Sequence, residues 1–194
     1  KTTQITLLVD WLRSAGQQVL VTREPGGTVI GDQIRHILLH PSHTEMAPEA
    51  EILLFSAARA QIVRQVILPH LRAGGVVVCD RFADSTMAYQ GHGHRLSLDA
   101  LRQITSFATG DLRPDVTIYL DVEVETGLRR KAQTPEEWNR MEAQSLAFHH
   151  RVRAGYLDLA AAEPDRFLVL DAGRGIADVH QDIRRRVGGV MGLS

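Results

Sequence analysis

The sequence predicts an α/β fold built as a doubly wound parallel sheet. Short apolar runs alternate with segments of helical periodicity along the whole chain, which calls for right-handed crossovers between parallel strands. The run Val76-Val77-Val78-Cys79 is apolar without a break, as a central parallel strand is. The polar segments Arg23–Thr28 and Asp80-Arg81 fall just after strand candidates, where such sheets bind ligands.

Each element follows from local pattern. Ile5, Leu8, Val9 and Leu12 recur at helical spacing, and Gly16 closes that helix. Val19-Leu20-Val21 is a short strand. Pro25, Gly26 and Gly27 break both periods, so Arg23–Thr28 is a loop. Thr28 or Asp32 caps a helix to about Leu39. Pro48 opens a long helix to about Leu71, apolar nearly all round, which predicts packing in the core and at a subunit interface. Gly74-Gly75 ends it before the Val76 strand. A helix of about ten residues follows Asp80-Arg81, then a Gly91-His92-Gly93 loop and a helix over Leu98–Ala108. Val116–Leu120 is a strand ending at Asp121. Residues 123–163 read as two helices around a polar break at Gln133–Asn139. A strand at Phe167–Leu170 and a helix over Ile176–Val187 complete the pattern.

Composition bounds the function. A chain of 194 residues is one domain by length and buries about 70% of its unfolded surface. No apolar run approaches the roughly 18 residues of a membrane helix, so no membrane association is expected. The single Cys79 excludes an internal disulfide framework and fits a reducing, cytoplasmic setting. A net charge of −1 gives no basic field for nucleic acid. Of the 22 basic residues 20 are Arg, the cation suited to bidentate phosphate contacts. The chain opens on Lys1-Thr2-Thr3-Gln4, without Met and with no strand before its first helix, so its true beginning is expected upstream.

Several residues carry possible chemistry. Lys1-Thr2-Thr3 before a helix fits the tail of a phosphate-binding loop, with Lys on phosphates and a hydroxyl on Mg²⁺; alone it is also an ordinary helix start. The Gly26-Gly27 pair offers open backbone N–H groups, or is a plain turn. Phe55 and Arg59 share a helix face at i and i+4, as a ring and a donor gripping a base would, or as a core Phe beside a surface Arg. Asp80 at a buried strand end needs a metal or a cation, and Arg81 beside it suits a phosphate; a structural ion pair is the alternative. Ser85, Thr86, Tyr89 and Gln90 form a dense polar set. Arg129, Arg130, Lys131 and Arg140 flank the polar break, as cations on a lid over phosphoryl charge or as a solvated face. His36, His40 and His43 read as a solvated helix face, and Trp11 and Trp138 as packing.

Taken together these motifs resemble bacterial thymidylate kinase in order and spacing. They run from Lys1-Thr2-Thr3-Gln4 through Thr22–Thr28 and Leu54–Gln61 to Asp80-Arg81-Phe82 and Ala88–Gly91, then Leu112–Asp115, Tyr119–Val122 and Asn139–Glu142. The resemblance implies a phosphate-loop kinase fold over residues 1–194, a lid at about 129–142, and a homodimer. It implies ATP and dTMP as substrates with Mg²⁺. Lys1, Thr2, Thr3 and Arg174 would serve ATP, with Thr2 and Asp80 at the metal. Glu24, Pro25, Phe55, Arg59, Arg81, Ser85, Thr86, Tyr89 and Gln90 would bind dTMP, Phe55 by stacking and Arg81 at the phosphate. Lys1, Asp80, Arg81, Arg129, Arg130 and Arg140 would be catalytic. The first strand and the loop glycines of that family are absent from the given chain. Phe82 stands where Tyr is commoner, and Pro135, Glu136 and Glu137 make the lid partly acidic. The competing readings are a kinase for another nucleoside monophosphate and a non-catalytic nucleotide-binding dimer.

Overall fold

In a computed structural model that describes residues 1–133 and 138–193, the apolar runs form parallel strands: β1 (Val19–Arg23), β2 (Val76–Asp80), β3 (Thr117–Asp121) and β4 (Phe167–Asp171). They pair as β1 with β2, from Val19 opposite Val76 to Arg23 opposite Asp80, and as β3 with β4, from Thr117 opposite Phe167 to Asp121 opposite Asp171. The parallel strands and helices bear out the α/β class, and among the described residues the strands pair as two two-stranded sheets. The Val76 run is therefore half-buried, since β2 has one strand neighbour.

The two pairs share one apolar layer. Helices α1 (Thr2–Ser14) and α9 (Ile176–Met191) place Leu8, Leu12, Val179, Ile183 and Val187 against Val19, Val76 and Val78 of one pair and Ile118, Leu120 and Leu168 of the other. Trp11 packs there too, as expected. Thr28 caps α2 (Val29–Leu39), its hydroxyl accepting from Gly31 N at 2.9 Å.

Pro48 opens α3 (Pro48–Ile62), which runs through a π-helical turn, Val63–Ile67, into α4 (Leu68–Arg72). Pro69 has no N–H for a carbonyl one turn back, and the register loosens just before it. This helix is long and apolar enough to cross a membrane. Its buried residues instead belong to the core: Ile52 packs against Met87 and against Leu101 of the helix α6 (Leu98–Thr109), and Ile62, Val63 and Ile67 against Val77, Phe82 and Leu112.

After β2, α5 (Ala83–Thr86) continues as π-helical turns over Met87–Gly93, so Gly91-His92-Gly93 is helical and not the expected loop. The reason is packing against α8 (Leu146–Ala162). A Cβ on Gly93 would stand 2.6 Å from Phe148, and one on Gly155 would stand 2.5 Å from His92. Helix α7 (Val124–Ala132) precedes the polar break. Pro135, Glu136 and Glu137 lie outside the described residues.

Candidate active site

Beyond the carboxyl ends of β1 and β2 lies a cavity of about 750 Å³. Strand β1 delivers Arg23, Glu24 and Pro25 to its wall, β2 delivers Asp80 and Arg81, and the start of α1 delivers Lys1 and Thr2. Helix α3 adds Phe55 and Arg59, and the turns after β2 add Ser85, Thr86, Tyr89 and Gln90. Residues as far apart in sequence as Lys1 and Glu142 thus face one space.

One wall of the cavity rests on a buried ion pair. Arg59 Nε donates to Glu24 Oε2 at 2.8 Å, and both side chains are at most 3% exposed. Arg59 also donates to Thr86 Oγ1 at 2.9 Å and lies over the Phe82 ring. Arg59 is thus not the surface cation of the simpler alternative. Burial pushes the Glu24 carboxyl up, against the pull of Arg59.

Arg81 is the best-positioned cation. Its guanidinium reaches the hydroxyls of Tyr89 at 3.2 Å and Tyr156 at 3.4 Å, and lies 5.0 Å from the Tyr89 ring centre. Tyr89 above all keeps it firmly protonated, despite its burial. Its backbone is left-handed, with φ 72°, a strain of about 1–3 kcal/mol for a non-glycine residue that the surrounding contacts must hold. The neighbouring Asp80 meets Lys1 Nζ at 3.2 Å. Burial raises the Asp80 carboxyl, but Lys1 and Arg81 outweigh that and hold it below the usual range. Arg81 and burial bring the Lys1 ammonium down to about 8.

The glycine pair serves the turn and not the cavity. Gly27 N donates to Asp32 Oδ1 at 3.1 Å, and a Cβ there would stand 2.5 Å from Ile62. Gly26 and Gly27 have φ 124° and 80°, which side chains rarely adopt.

Other expected residues lie elsewhere. Thr3 is exposed on α1, outside the cavity wall. Arg129 bonds Thr126, and Arg130 bonds the Ala172 carbonyl, so neither lines the cavity; Lys131 does. Arg174 is held by Asp182 at 2.8 Å. Arg140 points away from the site into the protein, against Glu51 and the Leu38 carbonyl, because its guanidinium completes a buried pair. Trp138, expected to be packing, is exposed on the cavity wall.

Sequence reasoning missed Tyr156, Arg35 and Glu51. Tyr156 donates to Ser85 Oγ at 2.7 Å and stacks on Tyr119 at 4.7 Å, and burial pushes its hydroxyl up to about 12. The chain has three tyrosines, and all three meet in this cluster. Arg35 lines the cavity from α2 and donates to the Pro25 carbonyl at 2.9 Å.

Parallel strands that end in a cationic cleft with an aromatic ring on its wall define the class: an α/β enzyme that handles a phosphorylated nucleotide. The family model "Thymidylate kinase" matches residues 1–183. Thymidylate kinase of Roseiflexus sp. (strain RS-1) is 52% identical over 94% of this chain and 86% of its own. That of Deinococcus radiodurans is 51% identical, over 94% and 88%. The crystal structure of thymidylate kinase from Ehrlichia chaffeensis superposes with a TM-score of 0.78 at 29% identity, covering 96% of this chain and 91% of that one. The chain belongs to the thymidylate kinase family.

Proposed function

We propose that residues 1–194, as one domain, transfer the terminal phosphoryl group of ATP to dTMP, giving dTDP and ADP. The observation that carries this is the convergence of Phe55, Arg59 and Arg81 on one cavity: an aromatic face, a donor fixed by Glu24 and Thr86, and a permanently charged guanidinium. A flat base with carbonyl acceptors and a phosphate matches that trio. Phe55 stacks on the base, and Arg59 presents donors at its edge. Arg81 holds the acceptor phosphate, while Ser85, Tyr89 and Gln90 line the remaining wall.

No strong base is needed, because the attacking phosphate oxygen is already ionised. The chain's work is to position two anions and offset their charge. Lys1 faces the ATP phosphates. Lys131, which lines the cavity, takes the phosphate-facing role expected of Arg129, Arg130 and Arg140. The Thr2 hydroxyl and the Asp80 carboxylate line the same cavity and are hard oxygen donors, the set that suits Mg²⁺ bound chiefly through substrate phosphates. Mg²⁺ supplies neutralisation of phosphate charge. Titration of the protein with dTMP and with dCMP, whose 4-amino donor replaces the O4 acceptor, tests the pocket, and dTMP is expected to bind at least tenfold tighter. Equal binding would refute the base-side assignment.

We also propose that the protein is a cytoplasmic homodimer. Helices α2, α3 and α6 pack in sequence and expose Ile30, Ile37, Leu53 and Phe107, the last 87% open. Phe107→Glu is expected to halve the mass measured by light scattering.

A further inference from the structure

A fully buried carboxylate stands behind the cavity wall with no part in phosphoryl transfer. Glu51, on α3, is 0% exposed. Gln90 Nε2 donates to its Oε1 at 2.6 Å, and His94 Nε2 lies 3.2 Å from the same atom. Arg140 meets the other oxygen, Oε2, and its Nε donates to the Leu38 carbonyl at 2.9 Å. Burial pushes Glu51 up, but the bonds from His94, Gln90 and Arg140 prevail and hold it ionised below the usual range.

The ligands of this carboxylate come from two separate segments that line one cavity. Gln90 is itself a wall residue. Arg140 lies within Trp138–Glu142, of which Trp138, Asn139, Met141 and Glu142 line the cavity. Arg140 N also donates to the Leu39 carbonyl at 3.3 Å, which ties the segment to the end of α2. A carboxylate accepts only, so it dictates that the Gln90 amide turns its NH₂ inward to Glu51. A buried ion pair is an inefficient way to gain stability, whereas a carboxylate with Gln90 on one oxygen and Arg140 on the other holds both in one geometry.

We propose that Glu51 is a positioning residue that couples the acceptor-side wall, through Gln90, to the 138–144 segment, through Arg140. Its effect on dTMP rests on the function proposed above, but the coupling itself does not. Three variants test it: Glu51→Met, Arg140→Met and the two together, each of similar volume to the native side chain. Backbone amide exchange is followed at 87–93 and at 138–144 without nucleotide, and dTMP and ATP affinities are measured separately.

Loss of charge-assisted bonds is expected to raise exchange on the order of tenfold in both segments. Arg140→Met is expected to raise exchange at 87–93, although Arg140 does not touch Gln90, and to add nothing there once Glu51 is already Met. The affinity for dTMP is expected to fall about tenfold, with that for ATP within about twofold. Additive effects, or native exchange at 87–93 in Arg140→Met, would overturn the coupling. If either single variant fails to fold, the double variant decides, because it buries no unpaired charge: native exchange in both segments overturns the proposal, and faster exchange in both supports it. Faster exchange with no dTMP binding even by the wild type would refute the proposed substrate and leave the coupling standing.

Discussion

Replacing Arg59 by Met strands the Glu24 carboxylate where water cannot reach it. The pair stands at 2.8 Å with both side chains almost wholly buried. At an effective dielectric of about 20 the attraction across that distance is about 6 kcal/mol. Part of it is offset by the desolvation already incurred, and breaking one side of such a pair costs about 3–5 kcal/mol. At about 2–4 °C per kcal/mol for a chain of this size, Tm near pH 8 should fall by about 6–20 °C. The pH dependence distinguishes this cause from simple loss of packing. Burial pushes Glu24 above its usual 4.5 even with Arg59 present, and without Arg59 the shift grows. A carboxyl whose folded-state pKa lies above the unfolded one favours the fold at low pH, and that advantage is lost as pH rises through the folded value. The Tm deficit of Arg59→Met should therefore be small at about pH 5 and grow towards about pH 8. Glu24→Gln combined with Arg59→Met should recover most of it at the higher pH. Thermal melts of the three proteins across that range provide the assay. A deficit that is flat with pH, or largest in acid, would refute the reasoning.

Three further outcomes follow from the same site. Arg81→Ala should weaken dTMP binding by about 10- to 100-fold, the worth of a charge-assisted contact, with ATP affected about threefold at most; equal loss for both, by calorimetry, would remove Arg81 from the acceptor phosphate. Phe55→Ala should raise the KM for dTMP about five- to tenfold through lost stacking, and an unchanged KM would return Phe55 to a packing role. Gly27→Ala should lower stability by about 1–3 kcal/mol in denaturant titration, because its φ is 80° and its Cβ would stand 2.5 Å from Ile62 and 2.7 Å from Thr22 Oγ1.

Local features were legible in the sequence because their causes are local. Thr28 caps α2, Pro48 opens α3, and Asp80-Arg81 ends β2, each from a signal within four residues. Phe55, Arg59, Tyr89 and Gln90 were placed in one site by resemblance, and the fold brings them to one cavity. What escaped depends on pairing across long separations. Arg140 and Glu51 lie 89 positions apart, and nothing near either marks the other. Arg140 therefore reads as a lid cation until its buried partner is seen. Tyr156 sits in mid-helix, where spacing says only that it shares a face with its neighbours. Gly91-His92-Gly93 looked like a loop because glycines punctuate chains, whereas here the glycines leave room for Phe148 and Leu98.

The central claim is that this cleft moves a phosphoryl group from ATP to dTMP. ADP release by the protein, measured with dTMP, dUMP, UMP, AMP and GMP as acceptors, tests it most directly. The account predicts turnover with dTMP that exceeds every other acceptor by at least tenfold in kcat/KM, and a selective loss of that turnover in Arg81→Ala. Preferred turnover of a different monophosphate, or dTMP turnover untouched by Arg81→Ala, would contradict it.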